Sequence, residues 1–493
     1  MSDEALLAID QGTSSSRAMA FSARGETLAL EQQTFEQIYP APGWVEHDAE
    51  VIWATVLSTV RQLLRKLSDT HEVSAIGITN QRETTILWDR RTGIPLFNAI
   101  VWQDRRTAER CRVLERSGGE DEVTYKTGLR FDPYFSSTKI AWILDRTPGA
   151  RDAAKAGHIA FGTVDSFLIH RLTGGRLHVT DATNASRTAL YDIRKGRWDE
   201  ALCELFDVPM ACLPEVRDSA GDFGVTDKAV LGSALPIRGV AGDQQAALIG
   251  QACFSAGDVK STYGTGAFLV LNTARNLVPS KNRLLSTIAY QIGGEVTYAL
   301  EGSILSAGAA IQWLRDGLGL IARASDVESL AASVTDAGGV HLVPAFTGLG
   351  APYWDPDARG ALVGLTRASG RGEIARAALD SVVYQTYDLL DAMAADGMRP
   401  ANLKVDGGMA QNTLFMQRLS DVLGLDILRP RITESTAFGA ACLAGLGCGV
   451  YRSLSDIAAL AQADARFRPS LDPAARDAQV VGWRAALRRV RTP

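Results

Sequence analysis

Three short turns carry the residues of this chain best suited to handling phosphate. Gln11-Gly12-Thr13-Ser14-Ser15-Ser16 follows the apolar run Leu6-Leu7-Ala8-Ile9-Asp10, and Gly264-Thr265-Gly266 and Asp406-Gly407-Gly408 lie in the second half. Gly12, Gly264, Gly266, Gly407 and Gly408 let backbone N–H groups approach phosphate oxygens, while Thr13, Ser14, Ser15 and Thr265 add hydroxyl donors. Taken singly, each is also an ordinary β-turn by composition. A different chemistry sits at Arg82-Glu83. A planar fork of donors beside an acceptor can hold two vicinal hydroxyls of a polyol. Adjacent opposite charges are equally a common solvated surface pair, but here they follow a β-branched strand that points them into a cleft. Asp243, after Gly242, reads locally as a turn residue or helix cap.

Other chemistries are absent. No GxxxxGK[ST] loop, no protein-kinase glycine loop with its HRD and DFG elements, and no GxGxxG after the first strand occur. His47, His71, His158, His170, His178 and His341 form neither HExxH nor a triad-like pattern, so none is assigned to catalysis. The 6 cysteines include no CxxC pair and no neighbouring His at metal-ligand spacing, which suggests reduced, structural thiols. A net charge of -5 without a Lys or Arg run leaves no footprint for nucleic acid or lipid. Asp3 and Glu4 precede the first apolar run, which lacks the basic flank and length of a signal peptide. Residues 437–450 are apolar but too short for a membrane span, and their Gly and Ala content suggests a buried, tightly packed helix. The expectation is a cytoplasmic protein acting on a small molecule, with no membrane insertion.

The elements that position these residues are legible in outline. With 493 residues, 46% of them hydrophobic, the chain exceeds one core and should form two lobes. Strand signals at 6–10 and 17–21 make a hairpin around the first turn, and Val259–Tyr263 with 267–271 repeats that grammar, which suggests a structural duplication. Strand signals at 75–79 and 84–88 alternate with a helical pattern at 49–67, indicating α/β architecture. Ile374, Ala378, Val382, Gln385, Leu389 and Met393 follow helical spacing, with Glu373, Arg376 and Asp380 off the stripe and Gly397 and Pro400 beyond the end. A strand at 402–405, the third turn and a helix from about 412 to 423 come next. The expected lobes are 1–248 and 249–493.

Taken together, five segments resemble the FGGY carbohydrate kinases, a branch of the actin, Hsp70 and hexokinase superfamily. They are Asp10-Gln11-Gly12-Thr13-Ser14-Ser15-Ser16-Arg17, Tyr134-Phe135-Ser136-Ser137-Thr138-Lys139, Gly242-Asp243-Gln244-Gln245, Tyr263-Gly264-Thr265-Gly266 and Asp406-Gly407-Gly408. Their order and spacing match the family over nearly the whole chain. Within it, Asn80-Gln81-Arg82-Glu83-Thr84-Thr85 and Val101-Trp102-Gln103-Asp104 resemble the glycerol-phosphorylating branch rather than the pentulose or gluconate branches.

The resemblance implies a two-lobed, ribonuclease H-like α/β fold with duplicated mixed sheets flanked by helices. It also implies transfer of the γ-phosphoryl group of ATP to glycerol, giving sn-glycerol 3-phosphate and ADP. Asp10 would hold Mg2+ through water. Thr13, Ser14, Ser15 and Arg17 would meet the β- and γ-phosphates, with Thr265 approaching from the other lobe. Gly308 and Gln312 would contact the nucleotide, with Gly408 and Asn412 near the adenosine, although Gln312 alone reads as helix surface. Asp243 would be the general base. Arg82, Glu83, Tyr134 and Gln244 would bind the polyol, and Trp102 and Phe268 would cover its carbon backbone. A homodimer or homotetramer is implied too. A kinase for erythritol, xylulose or gluconate is the nearest rival. A non-catalytic ATP-binding module is a further one, against which the Asp243 and Arg82-Glu83 combination argues.

Some family members carry a Gly-rich segment before the catalytic Asp that binds an inhibitory sugar bisphosphate. The corresponding stretch, Leu231-Gly232-Ser233-Ala234-Leu235-Pro236-Ile237-Arg238, lacks that glycine cluster, and no His for activating phosphorylation lies between residues 215 and 240. Fructose 1,6-bisphosphate is therefore expected to inhibit weakly or not at all. A dose-dependent loss of activity at millimolar effector would refute this.

Overall fold

Leu6, Leu7, Ala8 and Ile9 are all buried, so the strand they form must be covered on both faces. A computed structural model describes residues 3–492 and shows how that is met. Asp3–Gln11 is the middle strand of a five-stranded sheet ordered Ile237–Gly242, His71–Asn80, Asp3–Gln11, Ser15–Ser22, Thr27–Thr34. The first three of these run parallel, and the hairpin strands after Asp3–Gln11 pair antiparallel.

A second sheet of seven strands repeats this plan. Val259–Tyr263 pairs antiparallel with Ala267–Ala274, which pairs antiparallel with Glu295–Ile304. On its other side Val259–Tyr263 runs parallel to Asn402–Asp406, itself parallel to Asp426–Pro430. Leu285–Ile292 and Ala463–Phe467 extend the two edges. The expected duplication is therefore present as two mixed sheets, each an antiparallel unit continued by parallel strands.

Alternation along the first sheet assigns its two covers. Leu7, Ile9, Ala18 and Ala20 pack against Ile52, Val56, Val60 and Leu63 of the helix Ala49–Leu67, whose first turn is capped by Asp48 accepting from Glu50 N at 2.8 Å. Leu6, Ala8, Met19 and Phe21 face the helix Ser435–Cys448, which comes from the far end of the chain. This is the buried, Gly- and Ala-rich helix expected at 437–450. Its backbone touches the sheet and the helix Asp243–Gly250. A Cβ on Gly439 would lie 1.8 Å from Ala246 O, and one on Gly77 would lie 2.0 Å from Ala440 O.

The long helix Arg371–Ala395 departs from the amphipathic expectation. Arg376 and Asp380 are buried, because Thr413–Leu423 packs alongside and its Arg418 Nε donates to Asp380 Oδ1 at 2.9 Å. All six cysteines are free, and only Cys448 is exposed. Among the described residues no helix is long and apolar enough to cross a membrane.

Gly439→Ala should force the Ser435–Cys448 helix off its neighbour and cost at least about 2 kcal/mol. The expected result is a lower melting temperature by scanning fluorimetry. An unchanged value would mean that this contact does not limit packing.

Candidate active site

The sheets deliver the candidate residues at the carboxyl ends of parallel strands, where open α/β sheets bind ligands. Asp10 ends Asp3–Gln11, Asn80 ends His71–Asn80 ahead of Arg82-Glu83, and Gly242 ends Ile237–Gly242 ahead of Asp243. In the second sheet Tyr263 and Asp406 end neighbouring parallel strands and lead into the two glycine turns.

A buried polar scaffold fixes the first set of strand ends. Asp181 accepts from Thr183 Oγ1 at 2.9 Å, from Asn184 Nδ2 at 2.9 Å and from Ser219 Oγ at 2.8 Å. Thr183 Oγ1 in turn accepts from Gly242 N at 2.9 Å, and the amides of Asn184 and Asn80 exchange hydrogen bonds of 3.0 and 3.2 Å. One carboxylate thus anchors the strands that lead to Asp243 and to Arg82. Beside it, Asp165 accepts from Thr163 and Thr180 hydroxyls, and burial, with help from the Asp181 charge, pushes its carboxyl up to about 7.

Arg82 is sealed between the lobes. Its Nη1 and Nη2 donate to Glu301 Oε2 and Oε1 at 2.5 and 3.0 Å, and its Nη2 also reaches Tyr134 Oη at 3.3 Å. Arg187 donates to Glu83 Oε1 at 2.7 Å and to Glu301 Oε1 at 2.9 Å. Burial alone would raise the Glu301 carboxyl, but the Arg187 and Arg82 guanidiniums overcome it and hold it at about 2. Burial wins at Glu83, whose carboxyl is raised despite Arg82 and Arg187.

Glu83 has a backbone φ of 57°, unusual outside glycine, and Thr84 N donates across it to Arg82 O at 2.7 Å. The Tyr134–Lys139 motif supports that turn. Ser136 Oγ donates to Glu83 O at 3.0 Å, and Lys139 Nζ donates to Tyr134 O at 2.7 Å. Asp243 stands at the open side, its Oδ1 held by Gln244 N at 2.7 Å and lying 3.3 Å from Arg82 Nε. Trp102 completes the box edge-on to Tyr134 and to Phe268, with ring centroids 5.8 Å away in each case. Asp104 works from behind, accepting from Val45 N and from Arg106, whose guanidinium stacks 4.0 Å from the Trp44 ring.

The phosphate-side candidates form a second group joined to the first. Trp102 Nε1 donates to Thr13 Oγ1 at 3.0 Å. Arg17 bridges Asp10 and Glu434, each at 2.5 Å. Burial raises the Asp10 carboxyl, opposed by Arg17. Ser15 Oγ accepts from Gln32 at 3.0 Å and Ser14 is exposed. Across the cleft the Gly264-Thr265-Gly266 turn docks on the start of Gly308–Gln312, through Gly308 N to Gly264 O at 2.9 Å. Gly407, with φ 87°, sits against Tyr263, whose carbonyl oxygen a Cβ would meet at 2.4 Å. Among the described residues no hydrogen bond joins Gly408, Asn412 or Gln312 to this group. Asn412 caps its own helix through Phe415 N at 2.8 Å, and Gln312 is exposed.

Residues 5–250 match the N-terminal domain, and residues 259–448 the C-terminal domain, of the FGGY family of carbohydrate kinases. The chain belongs to that family. The glycerol kinase of Alcanivorax borkumensis is 58% identical over 487 residues, covering 98% of each chain. Glycerol kinase 1 of Pseudomonas aeruginosa is 57% identical over 488 residues, covering 99% of each. A solved Plasmodium falciparum glycerol kinase with ADP superimposes with a TM-score of 0.94 at 37% identity, over 100% of this chain and 99% of that one. A gluconate kinase from Lactobacillus acidophilus, 21% identical with a TM-score of 0.89 over 99% and 98% of the two chains, shares the fold.

In this FGGY kinase the residues that sequence reasoning missed are Glu301, Arg187, Lys260 and Asp181, all buried and charged. The one local signal was a charge inside an apolar strand, as in Tyr298-Ala299-Leu300-Glu301.

Asp165 supplies a pH test. Its folded value of about 7 lies above the ordinary carboxyl value of 3.8, so between those values the native state keeps a proton that the unfolded chain has lost. Its stabilising contribution is complete below the lower value and disappears as pH rises through the upper one. Asp165→Asn, which cannot ionise, should therefore lose less thermal stability than wild type between pH 5.5 and pH 8. Parallel losses in both proteins would refute the assignment.

Proposed function

We propose that this protein catalyses ATP-dependent phosphorylation of glycerol, giving sn-glycerol 3-phosphate and ADP. The observation that carries the reading is the box in which buried Arg82 and Glu83 lie next to Asp243, whose Oδ1 is 3.3 Å from Arg82 Nε, beside Trp102 and Phe268. Each polyol hydroxyl can donate once and accept from another group, and the box offers both kinds of partner. Glu83 and Asp243 accept, whereas Arg82, Tyr134 and Gln244 donate. Trp102 and Phe268, edge-on with ring centroids 5.8 Å apart, would cover the carbon backbone of a short polyol. Buried donors left without a matching hydroxyl make such a site reject deoxy analogues strongly. The names of the relatives, at more than half identity along the full chain, support the same substrate.

Asp243 is the base in this reading. Its Oδ1 is held by Gln244 N and Arg82 Nε, which leaves Oδ2 to take the proton of the attacking hydroxyl. Thr13, Ser14, Ser15, Arg17 and Thr265 would spread the charge of the transferring phosphoryl group. Gly308, Gln312, Gly408 and Asn412 line the nucleotide side. Mg2+ suits the residues present. Among the described residues no cluster of three or more His, Cys, Asp or Glu forms a metal cage, while Asp10 supplies one carboxylate at a strand end. Mg2+ is commonly held by one or two carboxylates, water and phosphate oxygens, and supplies charge neutralisation there.

The same reading puts the lobe boundary near residue 248, which is supported by the second sheet beginning with Val259–Tyr263. A cytoplasmic location fits the use of ATP and the free thiols. A homodimer or homotetramer belongs to the same reading.

A coupled ADP-release assay across glycerol, dihydroxyacetone, erythritol and xylulose should give its highest kcat/KM with glycerol, and no glycerol-dependent release would end the proposal. Asp243→Asn should leave nucleotide affinity nearly intact and lower turnover by at least about 10²-fold. An unchanged turnover number would remove Asp243 from the role.

A further inference from the structure

Lys260 is fully buried in the middle of the second sheet, on Val259–Tyr263, yet its ammonium reaches across to the other lobe. Nζ donates to Gln244 Oε1 at 2.5 Å and to Thr262 Oγ1 at 3.0 Å. Gln244 follows Asp243 in the first turn of Asp243–Gly250. Its Nε2 has no protein acceptor among the described residues and is not among the buried atoms sealed from solvent without a partner.

An unrestrained glutamine amide can present either its carbonyl or its NH2 group to a ligand. A lysine ammonium has three donors and no acceptor, so it tolerates only the oxygen end beside it. We propose that Lys260 is a positioning residue for the acceptor site, holding the Gln244 amide so that its NH2 group faces the polyol beside Asp243. This rests on the glycerol reading above and adds a direction to it. The hydroxyl nearest Asp243 gives its proton to the carboxylate and accepts from Gln244. A flipped amide would instead set two acceptors side by side, leaving one without a proton to bind. The link also places the orienting charge on the second sheet and the oriented amide on the first. Gln244 is therefore aligned only while the two lobes are apposed, as Arg82 is through Glu301.

The test is a double-mutant cycle on the full-length protein with Gln244→Ala, Lys260→Met and the double variant. Scanning fluorimetry checks that each is folded, and KM for glycerol, KM for ATP and kcat are measured separately. Each single change should raise KM for glycerol by about tenfold with KM for ATP little changed, the size expected for one lost hydrogen bond. In the double variant the second change should add nothing, because Lys260 acts through Gln244. Lys260→Arg should recover part of the loss. If Lys260→Met does not fold, Gln244→Glu serves alone. It keeps an oxygen for Lys260 but brings no donor, so its KM for glycerol should rise as in Gln244→Ala. Multiplicative losses in the double variant, or wild-type glycerol affinity in Gln244→Glu, would overturn the inference while leaving glycerol phosphorylation standing. Absence of glycerol-dependent turnover in the wild type would overturn both.

Discussion

Two guanidiniums and two carboxylates sealed between the sheets hold this site together. Arg82 and Glu83 follow a strand of the first sheet, Arg187 comes from the same lobe, and Glu301 lies within Glu295–Ile304 of the second. All four are essentially inaccessible to solvent. Charges removed from water are costly, and deleting one member of such a group typically loses about 3–5 kcal/mol because its partner is stranded. The network balances in sign, and the Arg82–Glu301 contact is bidentate, which makes its geometry narrow. Arg82 therefore has one orientation, set by a residue of the opposite lobe. The box around Arg82, Glu83 and Asp243 exists as a consequence of lobe apposition and not as a property of either half.

Around that network the structure spends stability on geometry. Glu83 occupies a left-handed backbone conformation that costs of the order of 1–3 kcal/mol for a residue with a side chain. Ser136 and Lys139 are placed to hold the surrounding backbone, which gives a physical reason for the polar content of a motif in a helix whose first turn is buried. Asp181 does similar work one layer further back. By ordering Thr183 and Asn184 it ties together the ends of two parallel strands, so Asp243 and Arg82 are set in register by a single carboxylate. The Ser435–Cys448 helix closes the arrangement, since Glu434 just before it pairs with Arg17 of the phosphate hairpin. The same helix covers the first sheet and reaches its phosphate turn.

Much of this could be seen in the linear chain. Short apolar runs ending in polar, glycine-containing turns announced the strands and the positions where ligands gather, because a central strand needs apolar residues on both faces and a tight turn needs small ones. Arg82-Glu83 stood out since its chemistry suits a polyol, whereas Asp243 read locally as a turn residue or cap and took its role only from the family resemblance; the helices expected at 49–67 and 437–450 followed from spacing and composition. Glu301, Arg187 and Lys260 did not. A buried charge is stabilised only by a partner, and Arg82 and Glu301 lie 219 residues apart in sequence. Asp380 misled for the same reason: its partner Arg418 belongs to another helix, so local periodicity could not show that this side is buried.

Sequence alone determined which residues have the donors, acceptors and small turns for phosphoryl transfer to a polyol, because those properties are local and covalent. Tertiary structure decided which of them come together, which carboxylates are held charged or forced towards protonation, and which end of the Gln244 amide meets Lys260. Those outcomes depend on distance and desolvation between segments far apart in the chain, quantities that no local pattern encodes.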